Sequence, residues 1–134
     1  MGVAIPEKVK SWLEGKTFWH LVTLGPDGMP QSTPVWGSTD GTHVVINTAK
    51  GRAKDRNMRG DARVALSATN PENPYEMVEI RGKVVEIVDG KPADDAIDDL
   101  AEKYLGQRPY PYRQPGEERE IVKIEPTYIG GYGD

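Results

Sequence analysis

Apolar residues recur at two different spacings along this chain, and the changes from one to the other mark out its elements. Val9, Trp12 and Leu13 fall at i, i+3 and i+4, which predicts a short amphipathic helix over residues 5–15 that ends at Gly15. Its apolar edge is expected to cover one end of a sheet. From residue 17 the spacing shortens. The runs "TFWHLVTLG" and "MPQSTPVWG" flank Pro26-Asp27-Gly28, whose turn chemistry predicts a hairpin.

Asp40-Gly41 supplies another turn before the alternating run "HVVINT", and "RVALSA" reads as a further strand. The stretch "TNPENP" is too rich in Asn and Pro to prolong it and is expected to be a loop. "YEMVEIRGKVVEIVDG" then predicts a long strand whose Gly82 marks a bulge or bend.

Helical spacing returns in "KPADDAIDDLAEKYLG", with Pro92 at its start, acids in the first turns and Gly106 after its end. "QRPYPYRQPGEE" is either an ordered crossing loop or a flexible arm. "REIVKIEPTYI" is the last strand, and "GGYGD" reads as a tail. About six strands broken by tight turns, with helices at the edges, predict a mainly β protein: one small barrel domain spanning residues 1–134.

Composition narrows the possible chemistry. With 134 residues there is room for one core. A net charge of -4 argues against general attraction to nucleic acid or an anionic membrane, so small molecules and other proteins are the expected partners. There is no cysteine, and His20 and His43 are the only histidines, so no metal site is expected. No apolar run approaches the roughly 20 residues needed to span a bilayer, and a soluble cytoplasmic protein is expected.

Against this acidic background, residues 50–63 carry six basic side chains, Lys50, Arg52, Lys54, Arg56, Arg59 and Arg63, and two acidic ones, a surplus of four. A solvated helix face is the plain explanation. The start of the segment suggests more. Asn47 and Thr48 end a strand, Gly51 permits close backbone approach, and a helix is predicted to begin near Ala53 and stop near Gly60. A helix N-terminus flanked by Lys50, Arg52 and Lys54 has the donors and charge to hold a phosphate or carboxylate. Arg56, Arg59 and Arg63 then read as a solvated continuation.

A second candidate is the strand "GMPQSTPVWG". Pro34 cannot donate to a ladder, which predicts an edge or bulge. Gln31 and Ser32 offer polar groups there, beside the apolar surface of Pro34, Val35 and Trp36. A flat heteroaromatic ring needs both, while Trp36 taken alone reads first as barrel core. Tyr104, Tyr110 and Tyr112 surround the Pro-rich loop, where packing on a partner subunit is favoured over lining a substrate pocket. Asp94, Asp95, Asp98 and Asp99 read as acids stabilised by the dipole of their helix rather than as a site. No GxGxxG follows a strand, and neither a Walker A loop nor GxSxG occurs.

The segments "DGMPQSTPVW", "INTAKGRAKDRNMRGDARVAL" and "VEIRGKVVEI" resemble, in order and separation, the signatures of the pyridoxamine 5'-phosphate oxidase-like flavin and deazaflavin oxidoreductases, specifically the actinobacterial group that uses coenzyme F420. The resemblance covers almost the whole chain. It implies a split β-barrel of the FMN-binding kind, assembled as a homodimer with the cofactor in a groove between subunits.

By that resemblance, Asn47, Thr48, Lys50, Gly51, Arg52, Ala53 and Lys54 match the segment that grips the cofactor's phosphate and acidic tail. Gln31, Ser32, Pro34, Val35 and Trp36 match the strand beside the deazaflavin ring, and Tyr75, Met77 and Val78 fall where the second subunit closes the groove. Gly60 and Ala62 depart from the Arg and Pro common there, which bears on helix length. The end "IGGYGD" lacks the Arg-rich terminus of true pyridoxamine phosphate oxidases.

The resemblance implies hydride transfer between reduced F420 and a conjugated small molecule such as an enone or quinone. The hard chemistry would belong to the cofactor, and no catalytic side chain is identified. FMN is the alternative cofactor, and a non-catalytic F420 or flavin carrier the alternative role.

Overall fold

The computed structural model describes residues 2–132 and consists of seven strands and three helices. Helix α1 (Glu7–Glu14) leads to β1 (Phe18–Leu24), β2 (Pro30–Trp36), β3 (Ser38–Thr39) and β4 (Val44–Ala49). Next come α2 (Ala53–Gly60), β5 (Arg63–Asn70), β6 (Asn73–Asp89), α3 (Lys91–Leu105) and β7 (Arg119–Tyr132). The strands form one antiparallel sheet in the order β2-β1-β5-β6-β7-β4-β3. β2 and β3 are its two edges, yet only Gly37 separates them in the chain. The sheet must therefore curl until its edges meet, which makes a split barrel.

Alternation explains what fills it. Trp19 and Leu21 of β1, Val64 and Leu66 of β5, and Val122 and Ile124 of β7 point inward, and each is buried. Val9 and Leu13 of α1 plug one end as the periodicity predicts, with Trp12 packed against the same cluster. Gly82 stands at a register shift between β6 and β7, where a Cβ would collide with the Glu125 carbonyl, so this bulge requires glycine. It lets the 17-residue β6 bend around the barrel.

Helix α3 lies outside the barrel. Ala93, Ile97, Leu100, Ala101 and Tyr104 form its buried stripe, and Ile97, Leu100 and Tyr104 make a second small core with Trp36 and Tyr110. Among the described residues no helix is long and apolar enough to cross a membrane.

Two expectations about loops are corrected. "TNPENP" is no loop: β5 runs to Asn70 and β6 starts at Asn73, leaving only Pro71 and Glu72 between paired strands. Nor are Gly130 to Tyr132 a tail, since they pair with β6 as the end of β7, while Gly133 and Asp134 lie outside the described residues. In both places the ladder of the neighbouring strand outweighs weak local propensity.

Residues 107–118 form an ordered crossing strap. Three aspartates of α3 fasten it: Asp99 to Arg108 at 2.7 Å, Asp98 to the Tyr110 amide at 2.9 Å and Asp94 to Arg113 at 2.9 Å. These acids therefore do more than complement their helix dipole.

Candidate functional site

The site lies at the split. Trp36 ends one edge strand, Asn47 faces the gap from β4, α2 begins beside it, and α3 and the strap cover it. Together they enclose a cleft of about 300 Å3. Its walls separate by chemistry. Phe18, Trp36, Tyr110 and Tyr112 supply aromatic surface, with Pro34, Val35, Ile97 and Leu100 beside them. Asn47, Arg52, Lys54 and Arg119 supply the polar end.

Aromatic packing fixes the ring wall. Trp36 is stacked on Tyr104 at 5.1 Å with 11° between the planes, and Tyr110 meets it edge-on at 6.1 Å. The Tyr104 hydroxyl donates to the Thr17 carbonyl at 2.5 Å and accepts the Gly37 amide at 3.0 Å. Lys103 adds bonds to the Leu13 and Gly37 carbonyls at 2.9 and 2.6 Å, which pins the chain immediately after Trp36. Tyr104 thus packs within its own chain, contrary to the partner-subunit expectation. Tyr110 and Tyr112 line the cleft, the less favoured of the two sequence readings.

The basic segment divides according to its partners. Lys50 turns away to Asp89 at 2.7 Å and Glu118 at 3.7 Å and does not line the cleft. Arg63 pairs with Asp61 at 2.7 Å, and Arg56 donates to the Gly51 carbonyl. Arg59 is no solvated continuation, because it reaches Asp55 at 2.9 Å and the fully buried Glu120 at 2.6 Å.

Lys54 is different. It is half-buried, lines the cleft and has no acidic partner among the described residues. Burial, reinforced by Arg52 and Arg119, pushes its ammonium below the usual lysine value. A buried cation among other cations is costly unless an anion joins it.

Arg119 is the main residue that sequence reasoning missed. It is buried, donates to the Asn47 amide oxygen at 2.9 Å and to Glu117 at 3.1 Å, and lies 5.3 Å from the Tyr110 ring centre. Burial pushes its guanidinium below the ordinary arginine value. In the sequence it is one charge among four in "EERE", and only the β4–β7 ladder, which sets Arg119 opposite Ala49, brings it to the site. Arg52 stands 3.3 Å from the other oxygen of Glu117.

The local backbone explains why Lys54 points here. Gly51 has φ +87°, a left-handed turn that favours glycine, and it ends β4 so that α2 can begin beside the split. Asp55, one residue beyond Lys54, points inward and accepts the Gly51 amide at 2.8 Å. That amide is thus committed to the fold.

Inside the barrel, Asp55 and Glu120 share Arg59. Burial, then the hydrogen bond and repulsion from Asp55, push the Glu120 carboxyl up to about 7. For Asp55, burial works upward, but bonds with Glu120, Gly51 and Arg59 outweigh it and hold the carboxyl below its ordinary value.

Of the residues expected at the site, Pro34, Val35, Trp36, Asn47, Arg52 and Lys54 line the cleft. Pro34 is on an edge strand, as its missing N–H predicts. Gln31 instead faces Thr23 and Asn57, while Ser32 is exposed further along the edge. Thr48 is sealed inside, Gly51 and Ala53 form the turn into α2, and none of these lines the cleft. Tyr75 is exposed and, with Met77, lies on β6 away from it. The Val78 side chain belongs to the chain's own core.

Comparison with known proteins agrees with this architecture. The pattern of the pyridoxamine 5'-phosphate oxidase family matches residues 5–132. A solved structure named F420 reductase superimposes with a TM-score of 0.81 at 34% identity, covering 94% of this chain and 98% of that one. A conserved hypothetical protein from Mycobacterium tuberculosis matches with a TM-score of 0.71 at 22% identity, covering 98% of this chain and 86% of its own. A putative pyridoxamine 5'-phosphate oxidase from Listeria innocua gives 0.68 at 19% identity over 93% of this chain and 95% of its own. No curated protein matches the sequence.

Proposed function

The chain belongs to the pyridoxamine 5'-phosphate oxidase family, and from that premise we propose that it is an oxidoreductase using coenzyme F420 to reduce a conjugated small molecule such as an enone or quinone. The observation that carries the anionic-cofactor reading is Lys54, half-buried beside Arg52 and Arg119 with no acidic partner among the described residues. F420 over FMN is favoured by the 34% identity to the structure named F420 reductase.

The residues present fit such a group. Lys54, Arg52 and Arg119 would hold its phosphate and acidic tail, while Pro34, Val35 and Trp36 would offer apolar surface to its ring. When bound, the deazaflavin supplies the hydride chemistry, so the chain needs no nucleophilic side chain. Its own residues bind, orient and exclude water, with Tyr110 and Tyr112 covering the cleft from the strap. A cleft of about 300 Å3 is small for a ligand carrying both a ring and an acidic tail. The proposal therefore includes a homodimer in which a second copy brings Tyr75 and Met77 to the groove.

Fluorescence titration with F420 and FMN in parallel tests the cofactor, and stopped-flow oxidation of reduced F420 by enones, quinones and nitroaromatics tests turnover. Tight F420 binding, no FMN binding and oxidation by one acceptor class are expected. A yellow protein with a flavin spectrum would replace F420 by FMN, and F420 binding without oxidation would make the protein a carrier.

A further inference from the structure

Glu117 is an acid placed among the site's cations. Its side chain is only 6% exposed, and its two oxygens go to different arginines, Arg52 at 3.3 Å and Arg119 at 3.1 Å. A carboxylate so deeply buried must be paired. The arginines hold it unequally. Arg119 has a side-chain exposure of 3% and is fixed also by Asn47 and the Tyr110 ring. Arg52 is 47% exposed, and this bond is the one its guanidinium makes among the described residues.

The side from which Glu117 pulls matters. It does not line the main cleft but the adjoining one, with Lys50, Asp89 and Glu118. Arg52, bonded to this carboxylate from the adjoining side, still lines the main cleft beside Lys54, so Glu117 is the group a cleft ligand must compete with for it. Locally Arg52, Lys54 and Arg119 face one acid, so two positive charges remain uncompensated.

Building on the anion-binding reading above, we infer that Glu117 is a built-in counter-anion that restrains Arg52 until a ligand's anionic group takes it over, and so limits the affinity of the site. A ligand group of higher negative charge competes better for Arg52, and Glu117 thereby favours dianionic over monoanionic groups. Glu117 touches no ligand itself. It acts through the two arginines, as a positioning residue whose removal should strengthen binding.

The test is Glu117→Gln, which keeps the shape and removes the charge. Wild type and variant are titrated with F420 by fluorescence and with inorganic pyrophosphate by thermal stabilisation. Affinity for both is expected to rise about tenfold, with slower release, as the competing charge is lost. A purely structural role predicts the opposite, and unchanged or weaker binding of pyrophosphate overturns the inference. Binding of pyrophosphate without F420 would remove the cofactor reading and leave the pyrophosphate comparison to decide this one. Failure of both proteins to bind either ligand overturns it too. If the Gln variant does not fold, Glu117→Asp, one methylene shorter, should tighten pyrophosphate binding about threefold by losing reach to Arg52; weaker or equal binding refutes it.

Discussion

Neighbouring residues on β4, α2 and β7 face opposite ways, and their two environments treat charge differently. Asn47, Lys54 and Arg119 look into the cleft, whereas Thr48, Asp55 and Glu120 look into the barrel. Inside, Arg59 bonds both carboxylates. Outside, Arg52 and Arg119 share one carboxylate, and Lys54 has none among the described residues. Cationic residues in one stretch of sequence thus have two fates, and the partner of each decides whether it serves the fold or awaits a ligand.

The largest effect should come from breaking the inner cluster. Arg59→Ala leaves two buried carboxylates without their cation. A loss of about 2–3 kcal/mol is expected at pH 8 in urea denaturation, below the usual cost for a fully buried pair because Arg59 is itself half exposed. The loss should shrink at pH 5, where Glu120 keeps its proton; an equal loss at both values would show that charge is not the cause.

The outer region should respond in binding and not in stability. Lys54→Ala is expected to weaken F420 binding about 30-fold, as the loss of a charged partner typically does, while thermal unfolding stays unchanged or improves. Lys50→Ala, whose cation is already paired with Asp89, should change affinity less than about twofold. Equal effects of the two lysines would erase the distinction drawn between them.

Back inside the barrel, the remaining effect is a slope. Glu120 holds its proton up to about 7 in the folded chain, whereas the ordinary glutamate value is 4.5. Between these values the folded state binds more protons, so stability should fall as pH rises across that window. Glu120→Gln mimics the protonated acid and should flatten this slope, gaining on the order of 1–2 kcal/mol over wild type at pH 8. Parallel stability curves at pH 5, 6, 7 and 8 would assign the proton elsewhere.

Much of the fold was legible because it is written in local periods: the hairpin at Pro26-Asp27-Gly28, the bulge at Gly82 and the helix from Lys91 to Leu105. "TNPENP" was misread because the ladder between β5 and β6 supplies what local propensity lacks. At the site, Pro34, Val35, Trp36, Asn47, Arg52 and Lys54 were foreseen from edge chemistry, charge and resemblance. Arg119 and Glu117 were not, since nothing in "PGEERE" distinguishes a cleft-lining arginine or a buried acid from a solvated run.

What the sequence determined alone was the kind of most elements, the place of turns such as Pro26-Asp27-Gly28 and the concentration of cations at the start of α2, since these depend on neighbours within a few residues. Which cations remain available depends on residues far away. Asp89 removes Lys50, Glu120 engages Arg59, and the pairing of β4 with β7 brings Arg119 beside Lys54. Those choices belong to the curled sheet, because only closure of the barrel brings acids some 40 to 60 positions away within hydrogen-bonding distance of the segment.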